Sequence, residues 1–265
     1  EKLMEKKIND GDMPSSKEIL CLGSYRPLSE YEWIKKTNIS KSLEKVYKRL
    51  VLDHFEEKKL SSQIGQLKAI SNNVSKAVRM QYEDNPYPRW VNTYQQLRPS
   101  SIAHVCEEMK IHLFSNAIQK VKSPQILVAG CGTGQHPIGT ASMYENSKVT
   151  AIDLSLKSLG YALRKTNALG LKNITYLQAD ILDLGKLEEK FDIIESAGVL
   201  HHMDDPMKGW KVLTDLLRPG GLMGIGLYSK LSRQVISQLR NEKSILYMKP
   251  NNSEMRNYRK NLIES

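Results

Sequence analysis

Cysteine is scarce in this sequence: Cys21, Cys106 and Cys131 are the three present, odd in number and without a Cys-x-x-Cys pair. That argues against a disulfide framework or a cysteine-based zinc site and points to a reducing compartment, the cytoplasm. Elsewhere, too, no cluster of His, Cys and carboxylates has ligand spacing, so no metal is expected. Long apolar runs are also missing. None approaches the roughly 20 residues that cross a bilayer, so no membrane partner is expected. The opening residues, 1–12, are charged and polar and lack the apolar core of a signal peptide. Glu1 stands where a Met would begin a chain, so the sequence is expected to start inside a longer protein, with an additional domain beyond either end.

Positive charge is plentiful, with 39 Lys and Arg against 29 Asp and Glu for a net +10. Its distribution decides what that means. Up to Ser123 there are 21 cations against 15 anions, and the remainder holds 18 against 14. An excess spread over both halves, with dense runs such as 41–59 interleaved with Glu44, Asp53, Glu56 and Glu57, reads as solvated helix faces. This argues against a nucleic-acid partner.

The chain divides by pattern near residue 122. Residues 1–122 read as a mostly helical extension. Helical spacing of Ile34, Leu43, Val46, Tyr47, Leu50, Val51 and Phe55 predicts an amphipathic segment over 29–60, followed by a break over 61–70. A helix capped by Asn72 or Asn73 and another over 101–120 complete the extension. Between them stands Gln81-Tyr-Glu-Asp-Asn-Pro-Tyr-Pro-Arg-Trp90. Its two prolines hold the chain extended and display Tyr82, Tyr87, Arg89 and Trp90. Two roles fit equally: a staple that packs the extension onto the main domain, or a lid over a ligand.

From 123 to 265 strand and helix alternate. Apolar runs at 126–129, 149–152, 174–177, 191–196 and 222–227 read as strands. Ser155 and Asp205-Pro206 read as helix starts. Repeated βα units imply an α/β fold, a doubly wound, mainly parallel sheet with helices on both faces. Ligands on such sheets bind beyond the carboxyl ends of the strands. There the first strand runs into Gly130, Gly132 and Gly134, which permit a tight turn and let a ligand approach the backbone. The third glycine comes one residue too early for a dinucleotide fingerprint, and Gln135 holds the later position. Asp153 ends the second strand and Asp180 the third. A carboxylate in the first place suits a ribose diol, and Asp180 with the Ile181 backbone suits an adenine edge. A lone Asp at a strand end is more often a cap; several in register with a glycine turn are harder to dismiss.

These motifs resemble the class I S-adenosylmethionine-dependent methyltransferases over about 124–228. They are Ala129-Gly-Cys-Gly-Thr-Gly134, Ala151-Ile-Asp-Leu-Ser155, Gln178-Ala-Asp-Ile181, Phe191-Asp-Ile-Ile194, Leu200-His-His-Met203 and Leu217-Arg-Pro-Gly-Gly221. The segment 81–90 is similar to one that precedes this domain in some bacterial methyltransferases. The resemblance implies S-adenosylmethionine as cofactor and S-adenosylhomocysteine as product. It implies that Gly130, Cys131, Gly132, Gly134 and Gln135 pass under the methionine part and ribose. Asp153 and Leu154 would hold the ribose, Asp180 and Ile181 the adenine, and Ala197 and Gly198 would line the sulfonium side, with Tyr87 and Arg89 closing over them. His201, His202 and Tyr82 are the catalytic candidates, His201 ahead of His202, although a structural role fits each histidine equally. The family often has an acidic residue where this chain has Val128.

Three functions are therefore expected in descending order: methyl transfer to a small molecule, methyl transfer to protein or RNA, and cofactor binding without catalysis. The family's sheet usually ends in an antiparallel pair of strands. After a helix at 229–240, only 244–248 is apolar, and 251–265 reads as helical, so either the domain is truncated at its C-terminal end, the favoured reading, or residues from the N-terminal part complete the sheet edge.

Overall fold

The computed structural model describes residues 2–37, 39–93, 95, 98–240 and 252–264. They fall into two compact units, Glu1–Ile225 and Gly226–Ser265. The N-terminal region supplies helices α1 (Lys2–Asn9), α2 (Ser16–Gly23), α3 (Glu44–Tyr47), α4 (Asp53–Ser61), α5 (Asn73–Asp84) and α6 (Ile102–Glu108). A π turn, Lys48–Leu52, joins α3 to α4. Next come α7 (Gln135–Met143), α8 (Leu156–Ala168) and α9 (Pro206–Leu216). The second unit contains α10 (Gln234–Arg240) and α11 (Asn252–Glu264).

Six strands form one sheet: β1 (Gly65–Gln66), β2 (Gln125–Ala129), β3 (Lys148–Asp153), β4 (Ile174–Gln178), β5 (Phe191–Ala197) and β6 (Leu217–Gly226). Their order is β1-β4-β3-β2-β5-β6. The pairs β1–β4, β3–β4, β2–β3 and β2–β5 are parallel. From β2 the chain winds to β3 and β4 on one side, then returns to place β5 on the other. The switch point of the sheet thus lies between β2 and β5, beside the glycine turn.

The apolar run of β2 follows from burial on both faces. Ile126 and Val128 belong to one core cluster with Val149, Ala151, Ile102, Ala141 and Leu159. Leu127 and Ala129 belong to the opposite cluster with Ile152, Ile194, Leu200 and Leu213. Side chains alternate along a strand, so a strand covered on both sides is apolar at every position. Ile126, Leu127 and Val128 are all fully buried, each contributing about 1.5–3 kcal/mol.

Helix starts obey local chemistry. Asn72 accepts from the Ser75 N–H, Ser155 from the Ser158 N–H, and Asp205 from the Met207 and Lys208 N–H groups ahead of Pro206. The extension departs further from the expected pattern. Over 28–43 it forms three short 3-10 turns instead of a continuous helix. These turns pack Leu28, Tyr31, Ile34 and Leu43 with Ile19 and Val51 into a small core of their own. The helix expected over 101–120 stops at Glu108. Residues 61–70, expected as a break, contain β1, which pairs Gly65 with Leu177 and Gln66 with Gln178. Two residues are too few to leave a periodic trace, so the sequence offers an N-terminal contribution to the sheet edge only as the less favoured alternative and does not place it at 65–66. In the second unit, 244–248 lie outside the described residues, and α11 occupies the stretch expected to be helical.

One junction of extension and sheet layer is sterically exacting. α4 packs on α8, and a Cβ on Gly160 would stand 2.6 Å from the Glu57 carbonyl oxygen. Glycine at 160 lets these two helices approach closely.

Candidate active site

The carboxyl ends of β2 to β5 lie level, because Ala129 is in register with Ile152, and Asp153 with Gln178. Gly130, Gly132 and Gly134 all have left-handed φ, +77°, +53° and +87°. At two of them space is decisive as well. A Cβ on Gly130 would overlap the Val199 methyls, and one on Gly134 would stand 2.5 Å from Ala162 Cβ. The turn is tied to β3 by the N–H groups of Gly130 and Cys131, which donate to the Ile152 carbonyl at 2.9 and 2.8 Å.

Asp153 organises the centre. Its Oδ2 accepts from the Gly132 N–H at 2.8 Å and its Oδ1 from the Ser155 N–H at 2.9 Å. Burial pushes its pKa above the ordinary carboxylate value, against the pull of the N–H groups of Ser155, Gly132 and Leu154. Each oxygen keeps a second lone pair, so the carboxylate retains two acceptor positions. The neighbouring strand end is joined directly, since the Ala179 N–H donates to the Asp153 carbonyl at 3.1 Å. Asp180 is buried and caps the following 3-10 turn through Oδ1, which accepts from the Leu182 N–H at 3.0 Å. Ile181 is buried beside it. Leu154 is half-buried, and its carbonyl accepts from Gln178 Nε2 at 2.7 Å. Gln135 is exposed at the start of α7. Cys131 is buried, and burial together with the Asp153 charge raises its thiol pKa well above the ordinary value, so it stays a thiol.

At the end of β5, Ala197 and the following Gly198 are exposed, with open space where a Gly198 side chain would stand. His201 and His202 follow on a 3-10 turn with ring centroids 4.3 Å apart.

The aromatic segment is fastened across the glycine turn as a strap. Thr133 Oγ1 donates to the Pro88 carbonyl at 2.5 Å, and Trp90 Nε1 donates to the Thr133 carbonyl at 3.0 Å. The Tyr87–Pro88 peptide is cis. A side chain on Gly132 would meet the Tyr87 carbonyl oxygen at 3.5 Å. Further anchors hold the start of α8: Glu83 Oε1 accepts from the Leu156 N–H at 2.6 Å, and the Tyr82 carbonyl from Ser155 Oγ at 3.2 Å. Trp90 is buried edge-on to Tyr161, whose hydroxyl donates to the Trp90 carbonyl. Staple chemistry is thus concentrated in Trp90. Tyr87, by contrast, is 72% exposed. Arg89 turns towards α4, where its Nη2 donates to both Glu57 oxygens at 3.1 Å and its guanidinium stacks over Tyr161.

The structure also brings forward groups that periodicity concealed. Val128, at the position where an acid is common, is in register with Glu195 on β5. Glu195 Oε2 accepts from Thr140 Oγ1 at 2.6 Å and stands 3.0 Å from His136 Nε2. Nothing in the apolar pattern of 191–196 marked Glu195; only the pairing of β2 with β5 could have done so.

Known proteins bear on this arrangement. Residues 126–221 match the profile of a family described as Methyltransferase domain. Over this stretch the chain is similar to a methyltransferase domain. Among curated proteins, an uncharacterized protein of Synechococcus sp. is 30% identical over 180 residues, 67% of this chain and 43% of that protein. The ubiquinone biosynthesis O-methyltransferase of Coxiella burnetii is 29% identical over 132 residues, 50% of this chain and 53% of that one. PKMT2 from Rickettsia typhi, solved in complex with AdoHcy, is 24% identical, with 49% of this chain and 26% of that chain covered and a TM-score of 0.41. This chain spans 16–53% of the length of the curated relatives named for it. Among the described residues, no helix is long and apolar enough to cross a membrane.

Proposed function

We propose that this protein transfers a methyl group from S-adenosylmethionine to a small-molecule acceptor. The observation that carries the reading is Asp153, a half-buried carboxylate fixed by two backbone N–H groups beside the switch point of the sheet. Its two remaining acceptor positions match a ribose diol, and the free Oδ2 of Asp180 matches an exocyclic amine. The glycine turn supplies backbone that a ligand can approach without meeting side chains. Support for a small acceptor comes from relatives: the Coxiella protein is described as an O-methyltransferase of ubiquinone biosynthesis, and one from Papaver bracteatum as a probable tetrahydroprotoberberine N-methyltransferase.

S-adenosylmethionine supplies a methyl carbon already bonded to a sulfonium leaving group. In the transfer, the acceptor's lone pair forms a bond to that carbon, while the carbon–sulfur pair stays with sulfur. The protein's part is alignment, which is worth several kcal/mol when the nucleophile is held in line. Ala197 and Gly198 present small surfaces at this end. Where the acceptor carries a proton, His201 or His202 removes it, His201 being preferred, with Tyr82, whose carbonyl is held by Ser155, as a further candidate. Glu195, level with Val128 and linked to His136, supplies the negative charge that Val128 lacks for the cofactor's amino group. Arg89, held by Glu57, has no assigned part in this scheme.

Calorimetric titration with S-adenosylhomocysteine tests the assignment. Asp153→Ala is expected to weaken binding by at least tenfold, about 1.4 kcal/mol, and unchanged affinity would refute the ribose contact. An acceptor screen that detects S-adenosylhomocysteine release tests the activity itself.

A further inference from the structure

A second concave site lies on the far side of the strap, and no residue of the glycine turn lines it. It is a cleft of about 260 Å³ walled by the π turn and its flanks, by Arg89, Trp90 and Val91 of the strap, and by Tyr161, Arg164 and Lys165 of α8. Six cations reach it: Lys45, Lys48, Arg49, Arg89, Arg164 and Lys165. Two carboxylates oppose them. Asp53 accepts from Lys48 Nζ at 2.8 Å and lies 3.3 Å from Arg164 Nη1, while Glu57 serves both Arg89 and Arg164. Lys165 Nζ donates to the Val91 carbonyl at 2.9 Å and stands over the Trp90 ring. Among the described residues, Lys45 and Arg49 form no ion pair. The cleft therefore carries a clear excess of positive charge.

This crowding is built by the backbone. Side chains three and four residues apart share one face of a helix, and Lys45, Lys48 and Arg49 keep that spacing. A π turn, Lys48–Leu52, runs through this row. Asp53, four residues after Arg49, faces the cleft as well, while Leu52 is exposed at 49%. Such π turns recur at functional sites. Burial, with Arg164 and Arg49 beside it, lowers the Lys165 pKa, and burial with the Arg89 charge lowers that of His54. Neighbouring cations on an open surface would spread into solvent. Here Arg164, only 10% exposed in its side chain, is held in place by two carboxylates, and Arg89 by one.

We propose that this cleft binds the phosphate or diphosphate group of an anionic ligand, with Lys45 and Arg49 as its charge partners. A single carboxylate would leave most of the cationic excess unanswered, whereas a diphosphate carries several negative charges and its oxygens match the arginine fork. Whole drug-sized ligands fill roughly 300–1,000 Å³, so the cleft takes a charged head group, with the rings of Trp90 and Tyr161 beside whatever carries it. Methyl transfer does not require this site, and the proposal stands apart from the reading of the glycine turn.

The test is calorimetry on the full chain with inorganic pyrophosphate at fixed ionic strength. Saturable one-to-one binding is expected, with sulfate weaker. The double variant Lys45→Ala with Arg49→Ala should lose at least tenfold in affinity without a lower melting temperature, because neither side chain holds an ion pair. Lys120→Ala with Lys122→Ala, two exposed lysines before β2, removes the same charge and should leave the affinity unchanged. Tighter binding of ADP than of pyrophosphate would identify a nucleotide as the source of the phosphate; weaker binding would identify a free phosphate compound. The proposal is overturned by absent saturation, by equal loss in both double variants, or by undiminished binding in the first. Binding of phosphatidylglycerol vesicles without binding of pyrophosphate would also overturn it, in favour of a membrane surface.

Discussion

The two sides of the strap are built by different means. On the inner side, the glycine turn and the strand ends use backbone N–H groups, left-handed glycines and two carboxylates, Asp153 at the end of β3 and Asp180 two residues beyond β4. On the outer side, α4 and α8 are joined by side-chain ion pairs between residues about a hundred positions apart, such as Glu57 and Arg164 at 2.9 Å. The inner side gains its geometry from local chain chemistry, and the outer side from the fold as a whole. Stability and ligand binding should therefore be separable by mutation.

Glu57→Ala should give the largest effect. Glu57 is buried and compensates two guanidinium groups, those of Arg89 and Arg164. Removing one member of a buried ion cluster costs about 3–5 kcal/mol, because the partners stay buried and unanswered. Denaturant unfolding should show that loss, while the variant's affinity for S-adenosylhomocysteine under folding conditions stays within about twofold of the parent. A large fall in affinity would break the separation and show that the cluster sets the strap's position on the glycine turn.

Gly134→Ala should come next and act on both readouts. The new methyl would stand 2.5 Å from Ala162 Cβ, at a φ of +87°. Overpacking costs about 1–3 kcal/mol, and the left-handed conformation adds roughly 1–2. Loss of S-adenosylhomocysteine binding together with a lowered unfolding midpoint is expected. Retention of full affinity would mean that the turn's shape is not what the ligand reads.

The same division explains what was legible in the sequence. β2 to β5, the glycine turn, Asp153 and Asp180 were readable because each depends on neighbours within a few residues. The caps at Asn72, Ser155 and Asp205 were readable for the same reason. Glu195 was not, since its place opposite Val128 depends on which strand lies beside β2. Nor was the pairing of Arg89 with Glu57, which needs α4 to dock on α8. The short 3-10 turns over 28–43 kept an apolar spacing close to a helix's, and their small separate core satisfied the same pattern without one. β1 was hidden by its length of two residues.

Trp90→Phe should produce the smallest change and most sharply probes the seam between the two sides. Phenylalanine keeps an aromatic ring beside Tyr161 and Ile138 and removes the Nε1–H that donates to the Thr133 carbonyl at 3.0 Å. One neutral hydrogen bond contributes about 0.5–1.5 kcal/mol, and Thr133 Oγ1 still holds the Pro88 carbonyl. The global loss should therefore be near 1 kcal/mol. The informative readout is local: hydrogen exchange at Gly132 and Thr133 should quicken in the variant while exchange along β2 is unchanged. Such a result would show that the strap stabilises the glycine turn specifically. Uniform quickening across β2 would instead make Trp90 part of the general core, and the seam would then belong to the packing of the sheet rather than to the site.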